Sequence, residues 1–153
     1  MMKLCSDVLQ ALKGKTLATA ESCTGGMIGA ALTAVPGASK VYKGGVISYW
    51  SEIKQALLGV DADDLKTLGP VSAQVAGSMA DGARKALKAD YGLSVTGLAG
   101  PDGDKFGKPV GTVFVGLSTR NKTVARQFRF YGDREDVRKQ AARAALEFIL
   151  EEV

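Results

Sequence analysis

The sequence contains no histidine. That absence excludes Ser-His-Asp and Cys-His catalysis, HExxH zinc sites and imidazole proton shuttles within the chain. Proton transfer near neutral pH must then fall to a Lys, Tyr, Asp, Glu or Cys whose pKa has been moved by its surroundings. Cysteine is almost absent too. Cys5 and Cys23 are the only two. They make neither a CxxC pair nor a metal-ligand spacing, which fits a reducing, cytoplasmic setting. No apolar run approaches the ~20 residues of a membrane span. Ser6, Asp7 and Gln10 interrupt the apolar residues near the N-terminus, so a signal peptide is not expected. No metal or cofactor is expected: the acidic cluster Asp61, Asp63 and Asp64 reads as helix N-terminal charge on a solvated face.

A chain of 153 residues is long enough for a core of its own and is read as one domain spanning 1–153. The net charge of +4 is scattered and several basic residues lie near Asp or Glu. A small anionic ligand is expected ahead of nucleic acid, whose binders concentrate charge in a stripe.

Leu4, Val8, Leu9 and Leu12 recur at helical spacing, and Gly14 ends that first helix. Thr16–Glu21 reads as a strand and Met27–Thr33 as a helix. Val41–Tyr49 reads as a second strand, with Gly44-Gly45 allowing a bulge or a close backbone approach. Ser51–Leu58 is helical and stopped by Gly59. Ser72 caps a long helix with Val75, Met79, Ala83, Ala86 and Leu87 on one face. Leu93–Ala99 is a third strand, and 101–109 a loop rich in Gly, Asp and Lys. Two further strands form a hairpin around Arg120-Asn121. Asp133 caps the last helix. The predicted order α-β-α-β-α-α-β-β-β-α makes the first three strands parallel and the fourth antiparallel. The fold class is α/β: three layers, α/β/α, around a mixed five-stranded sheet.

Thr16-Leu-Ala-Thr-Ala-Glu-Ser-Cys-Thr-Gly-Gly26 runs from strand through tight turn to helix. Thr24 is the expected N-cap, and Gly25 and Gly26 let the backbone approach a ligand. Backbone N–H groups of Cys23, Thr24, Gly25 and Gly26 would face an anion or a developing oxyanion at the positive end of the helix. Ser22, at the mouth of the turn, is half of an acyl-transfer site. If the first two strands are parallel neighbours, their C-terminal ends meet, and Tyr49 and Lys54 come beside Ser22. At a pKa of about 10.4 only roughly one lysine in 2,500 is neutral at pH 7, so a Lys54 base must be enclosed. A Tyr49 hydroxyl between Ser22 and Lys54 would relay the proton. Cys23 is the rival nucleophile.

Several other patterns fall short. Gly14-Lys15-Thr16 lacks the first glycine of a phosphate loop and precedes its strand. Gly97, Gly100 and Gly103 do not give a dinucleotide fingerprint. Ser51-Glu52-Ile53-Lys54 is an SxxK without the partner motifs of the penicillin-recognising enzymes. Tyr49 to Lys54 is one residue too long for the short-chain dehydrogenase pair.

Beside these readings stand motifs spread over nearly the whole chain: Ala20-Glu-Ser-Cys-Thr-Gly-Gly26, Leu32-Thr-Ala-Val-Pro-Gly-Ala-Ser39, Gly44-Gly-Val-Ile-Ser-Tyr49 with Lys54, Val95-Thr-Gly-Leu-Ala-Gly-Pro-Asp-Gly103, Lys108-Pro-Val-Gly-Thr112, and Gly132-Asp-Arg134 with Val137-Arg138. In these the sequence resembles the CinA C-terminal domain family in its stand-alone form, the nicotinamide-nucleotide amidohydrolases. The resemblance implies hydrolysis of the carboxamide of nicotinamide mononucleotide to nicotinate mononucleotide and ammonia, without a metal. It implies a Ser22, Tyr49, Lys54 set, a supporting or oxyanion role for Thr96, and a homodimer or higher oligomer. Gly97, Arg134 and Arg138 are candidate substrate contacts, the arginines for the phosphate. The family often has Asn where Ser51 stands, and Gly where Asp104 follows Gly103. Its larger members carry an additional N-terminal domain. The alternative reading is a non-catalytic nucleotide-binding or partner domain linked to competence or recombination.

Overall fold

A computed structural model describes residues 1–153. In chain order the elements are α1 (Met2–Ala11), β1 (Leu17–Glu21), α2 (Met27–Thr33), a 3-10 turn (Ala38–Lys40), β2 (Tyr42–Ile47), α3 (Ser51–Leu58), α4 (Ala62–Thr67), α5 (Ala73–Ala86), β3 (Tyr91–Gly97), β4 (Thr112–Ser118), β5 (Thr123–Arg129) and α6 (Arg134–Glu152). Three helices, where two were expected, separate β2 from β3. The extra one is α4, which buries no residue and so shows no apolar period. Asp61 holds its start by accepting from the N–H groups of Asp63 and Asp64, the helix-end role expected of that acidic cluster. β2 ends two residues before Tyr49, because the carbonyls of Ser48 and Tyr49 turn away to accept from Lys54 Nζ.

The strands form one sheet in the order β2-β1-β3-β4-β5. β1 pairs parallel with both β2 and β3, while β4 runs antiparallel to β3 and to β5. The expected bulge is present: Leu17 faces Tyr42 but Ala18 faces Gly44, leaving Lys43 unmatched. Gly44 takes φ 143° there, a conformation other residues rarely adopt.

Alternation along the strands splits the core in two. Leu17, Leu93, Val95, Val113, Val115 and Leu117 meet α1, α2 and α6 on one face. Ala18 and Ala20 meet α3 and α5 on the other. On that second face β1, β3 and β4 present small residues apart from Phe114, and α5 lies close on it. A side-chain carbon at Gly92 or Gly116 would collide with the carbonyl oxygens of Ala80 and Ala76. Ser94 Oγ donates to the Ala76 carbonyl across the same gap.

The chain leaves β1 for α2 on one face of the sheet and leaves β2 for α3 on the other. Neighbouring parallel strands whose connections diverge in this way open a crevice at their carboxyl ends.

Candidate active site

The crevice begins at Glu21, the last residue of β1 and almost wholly buried. Its carboxylate accepts from Thr24 Oγ1 at 2.7 Å, the Ile28 N–H at 2.9 Å and the Gly29 N–H at 3.0 Å. The cap of α2 is therefore Glu21 and not Thr24, whose fully buried hydroxyl donates to that carboxylate. A carboxylate at the positive end of a helix is the stronger acceptor for its orphan N–H groups. The signal was an acid shortly ahead of a glycine-initiated helix; the intervening turn hid it, since a local cap sits directly before its helix.

With the turn anchored below, Ser22 is fixed from both sides. Its N–H donates to Val95 O of β3 at 3.0 Å, and its carbonyl accepts from the Gly25 N–H at 3.0 Å. Gly25 and Gly26 have φ of 58° and 107°, as a chain reversing this tightly requires. Arg138 reaches over from α6, where Nε donates to Cys23 O at 2.9 Å and Nη2 to Thr24 O at 3.3 Å.

Lys54, on the first turns of α3, is 1% exposed. Its Nζ lies 3.0 Å from Ser22 Oγ, 2.7 Å from Ser48 O and 3.0 Å from Tyr49 O. Two of these acceptors are carbonyls, which can only accept. When the amine is neutral its two N–H bonds remain with them, and the lone pair faces Ser22. No carboxylate pairs with Lys54, and burial lowers its pKa to about 8. The same burial acts oppositely on Cys23, whose thiol is raised to about 12 and stays protonated at neutral pH. Lys54 Nζ, moreover, bonds to Ser22 Oγ and makes no hydrogen bond to Cys23. Nothing joins Lys54 to Ser51, so the SxxK reading has no geometry here.

A cavity of ≈ 220 Å³ opens above Ser22 and Lys54. Cys23, Tyr49, Thr96, Gly97, Asp102 and Arg134 also line it. Several expected roles change with this geometry. Tyr49 is 55% exposed and its hydroxyl accepts from Arg134 Nη2 at 2.9 Å, so it does not lie between Ser22 and Lys54. The lysine reaches the serine directly, and the tyrosine contributes its carbonyl to the amine and its phenol to the rim. Thr96 Oγ1 donates its proton to Pro70 O at 2.7 Å, which leaves it an acceptor towards the cavity and not an oxyanion donor. The Gly25 N–H is occupied by Ser22 O, whereas the N–H of Cys23, beside Ser22 in the lining, donates to no other residue and faces only its own thiol. Arg134 is at the cavity, held by Tyr49 and by the Gly100 carbonyl. Arg138 is absent from the lining and holds the turn instead. Gly97 is small for a reason: a side-chain carbon there would lie 2.6 Å from Val113 Cγ2.

Fold and site together define a three-layer α/β/α domain with a buried serine–lysine pair at the carboxyl ends of two parallel strands. The chain belongs to the CinA C-terminal domain family, which matches it over residues 1–153. It is 45% identical over 138 residues to a CinA-like protein of Acidobacterium capsulatum, covering 90% of this chain and 33% of that protein. A putative competence-damage inducible protein of Desulforamulus reducens is 47% identical over 133 residues, with 87% and 32% covered. The chain thus spans about a third of the length of these relatives. Among solved structures, the competence damage-inducible protein A of Klebsiella pneumoniae superposes with a TM-score of 0.96 at 37% identity, covering 99% of this chain and 95% of that one. A CinA superfamily protein of Escherichia coli gives 0.97 at 34% identity, with 99% and 90% covered.

Proposed function

We propose that this domain hydrolyses the carboxamide of nicotinamide mononucleotide, with Ser22 as nucleophile and Lys54 as its base. The observation that carries this reading is the placement of Lys54 Nζ, 3.0 Å from Ser22 Oγ and bonded otherwise only to two carbonyls. The neutral amine takes the Ser22 proton as Oγ attacks the amide carbon. The resulting ammonium returns that proton to the departing nitrogen, releasing ammonia and leaving an ester on Ser22. Water, deprotonated by the same amine, then cleaves the ester to the carboxylic acid and restores the serine. In this reading the Cys23 N–H, which donates to no other residue, serves the developing oxyanion.

The lining also suits this substrate in charge. Arg134 is a cation available to a phosphate, and Asp102 is the carboxylate among the lining residues. A pyridine ring glycosylated at its nitrogen carries a positive charge, which a carboxylate attracts and a neutral amide would not exploit.

The test is ammonia release from nicotinamide mononucleotide, with free nicotinamide as comparison. The nucleotide is expected to turn over faster than the free amide. Ser22→Ala is expected to release none while melting at the wild-type temperature. Full turnover in that variant would remove Ser22 as nucleophile. Tight nucleotide binding by the wild type with no ammonia would instead favour a non-catalytic nucleotide-binding domain.

A further inference from the structure

A second cleft, of ≈ 440 Å³, lies at the other end of the sheet. It is lined by Lys15 ahead of β1, Arg84 and Lys88 at the end of α5, Asp90 and Tyr91 at the start of β3, and Arg120 in the β4–β5 turn. Ser22 follows the carboxyl end of β1 whereas Lys15 precedes its amino end, so five strand residues, roughly 17 Å, separate the two sites.

The cations here outnumber the acids, and carboxylates neutralise only part of them. Arg84 is tied to Asp81 at 3.0 Å and to Ser118 Oγ at 3.0 Å, as a helix-end arginine commonly is. Lys15, Lys88 and Arg120 come from three separate segments, and none of them makes an ion pair or a side-chain hydrogen bond. Asp90, the carboxylate of the cleft, is already engaged by the Thr16 N–H and hydroxyl, at 2.8 and 3.0 Å. It is held below the usual carboxylate range chiefly by those bonds. The backbone N–H of Arg120 is also unmatched in its turn.

Lys88 supplies a second kind of observation. It has φ 52° and is the one non-glycine residue with positive φ. It stands just past the end of α5, the position that glycine fills most readily. Its carbonyl is held by Lys43 Nζ at 3.1 Å, which brings a further cation to the cleft's edge. A charged side chain retained in a strained backbone conformation, beside a cleft, points to a role for the side chain.

We propose that this cleft is a second binding site, distinct from the Ser22 cavity, for a phosphorylated small molecule. Unpaired cations converging from three segments recognise a multiply charged phosphate. The volume suits a small ligand, and the half-buried Tyr91 ring offers an apolar wall. Charges brought together around one cleft fit a compact anion better than a polyanion laid along a stripe.

The experiment is a titration of the full chain with inorganic pyrophosphate, read by backbone amide shifts. Saturable binding is expected, with shifts at Lys88, Tyr91 and Arg120. The Lys88→Gln/Arg120→Gln double variant should bind at least ~10-fold more weakly. Ser22→Ala should bind as the wild type does, which keeps this test separate from the amidase reading. Lys88→Gly should melt higher, since it relieves the positive φ, and yet bind pyrophosphate more weakly. A lysine present only for structure would not move binding. Absence of saturation up to about 10 mM pyrophosphate overturns the proposal. So do shifts confined to the surroundings of Ser22 and Arg134, or displacement of pyrophosphate by a short DNA duplex at equal phosphate concentration, which would make the face a nucleic-acid surface.

Discussion

Lys54 sets two pH dependences with one pKa. The proposed chemistry needs the neutral amine, so turnover is expected to rise with pH and level off above about 8, the value to which burial lowers this lysine. At pH 6 roughly a hundredth of the plateau rate should remain. Stability follows the same proton. The ordinary lysine value of 10.5 applies to the unfolded chain, and the folded value is about 8. Between those pH values the unfolded state binds more protons, so stability increases as pH rises through the window. The full span is about 3 kcal/mol. Urea titrations of wild type and Lys54→Met from pH 7 to 10.5 should show the wild type gaining on the variant by an amount of that order; parallel curves would mean that Lys54 is not depressed. The variant should also release no ammonia. A second residue-scale expectation concerns Asp102. If its charge meets a cationic ring, Asp102→Asn should raise KM for the nucleotide several-fold and leave kcat near wild type. A fall in kcat alone would place Asp102 in another role.

At the scale of elements, the turn that carries Ser22 depends on Glu21 beneath it and Arg138 above it. Glu21→Ala strips the acceptor from Thr24 Oγ1, Ile28 N and Gly29 N, all in a buried setting. A loss of about 2–4 kcal/mol in chemical denaturation is expected, with Glu21→Gln losing less because it keeps one acceptor oxygen. Asp133→Ala removes the reciprocal cap with Asp136 at the start of α6 and should lower the melting temperature. Arg138→Gln should leave the melting temperature close to wild type but lower kcat about tenfold, since it releases the Cys23 and Thr24 carbonyls and lets the turn drift. An unchanged kcat would show that Glu21 and Val95 suffice to hold the turn.

For the whole molecule, the tolerance of the sheet is asymmetric. The α1/α2/α6 face packs branched side chains, whereas the α5 face packs backbone against backbone at Gly92 and Gly116. Gly116→Val should therefore prevent stable folding, because the Ala76 carbonyl has nowhere to move within α5. Val115→Ala, one residue away on the opposite face, should lower stability by roughly 2–3 kcal/mol and leave a soluble, folded protein. Circular dichroism melts of the two variants separate the cases.

The main elements were legible because they rest on short-range physics. Helical spacing of Leu4, Val8 and Leu12, caps at Ser72 and Asp133, and the Gly44-Gly45 bulge each follow from local sterics and hydrogen bonding. The pairing of Ser22 with Lys54 was also within reach, since parallel neighbouring strands bring their carboxyl ends together. α4 was not legible, because a six-residue helix with no fully buried residue and one leucine against the core leaves no apolar pattern. Nor were the partners of individual side chains. Glu21 as cap, Tyr49 turned to Arg134, Thr96 donating to Pro70 and Arg138 bracing the turn all join groups from different segments. The sequence by itself determined which elements form and which ends of them meet, because propensity and periodicity act within a few residues. Only the tertiary structure decided where each proton and lone pair points, because a hydrogen bond is won among competing acceptors that come together only when the chain has folded.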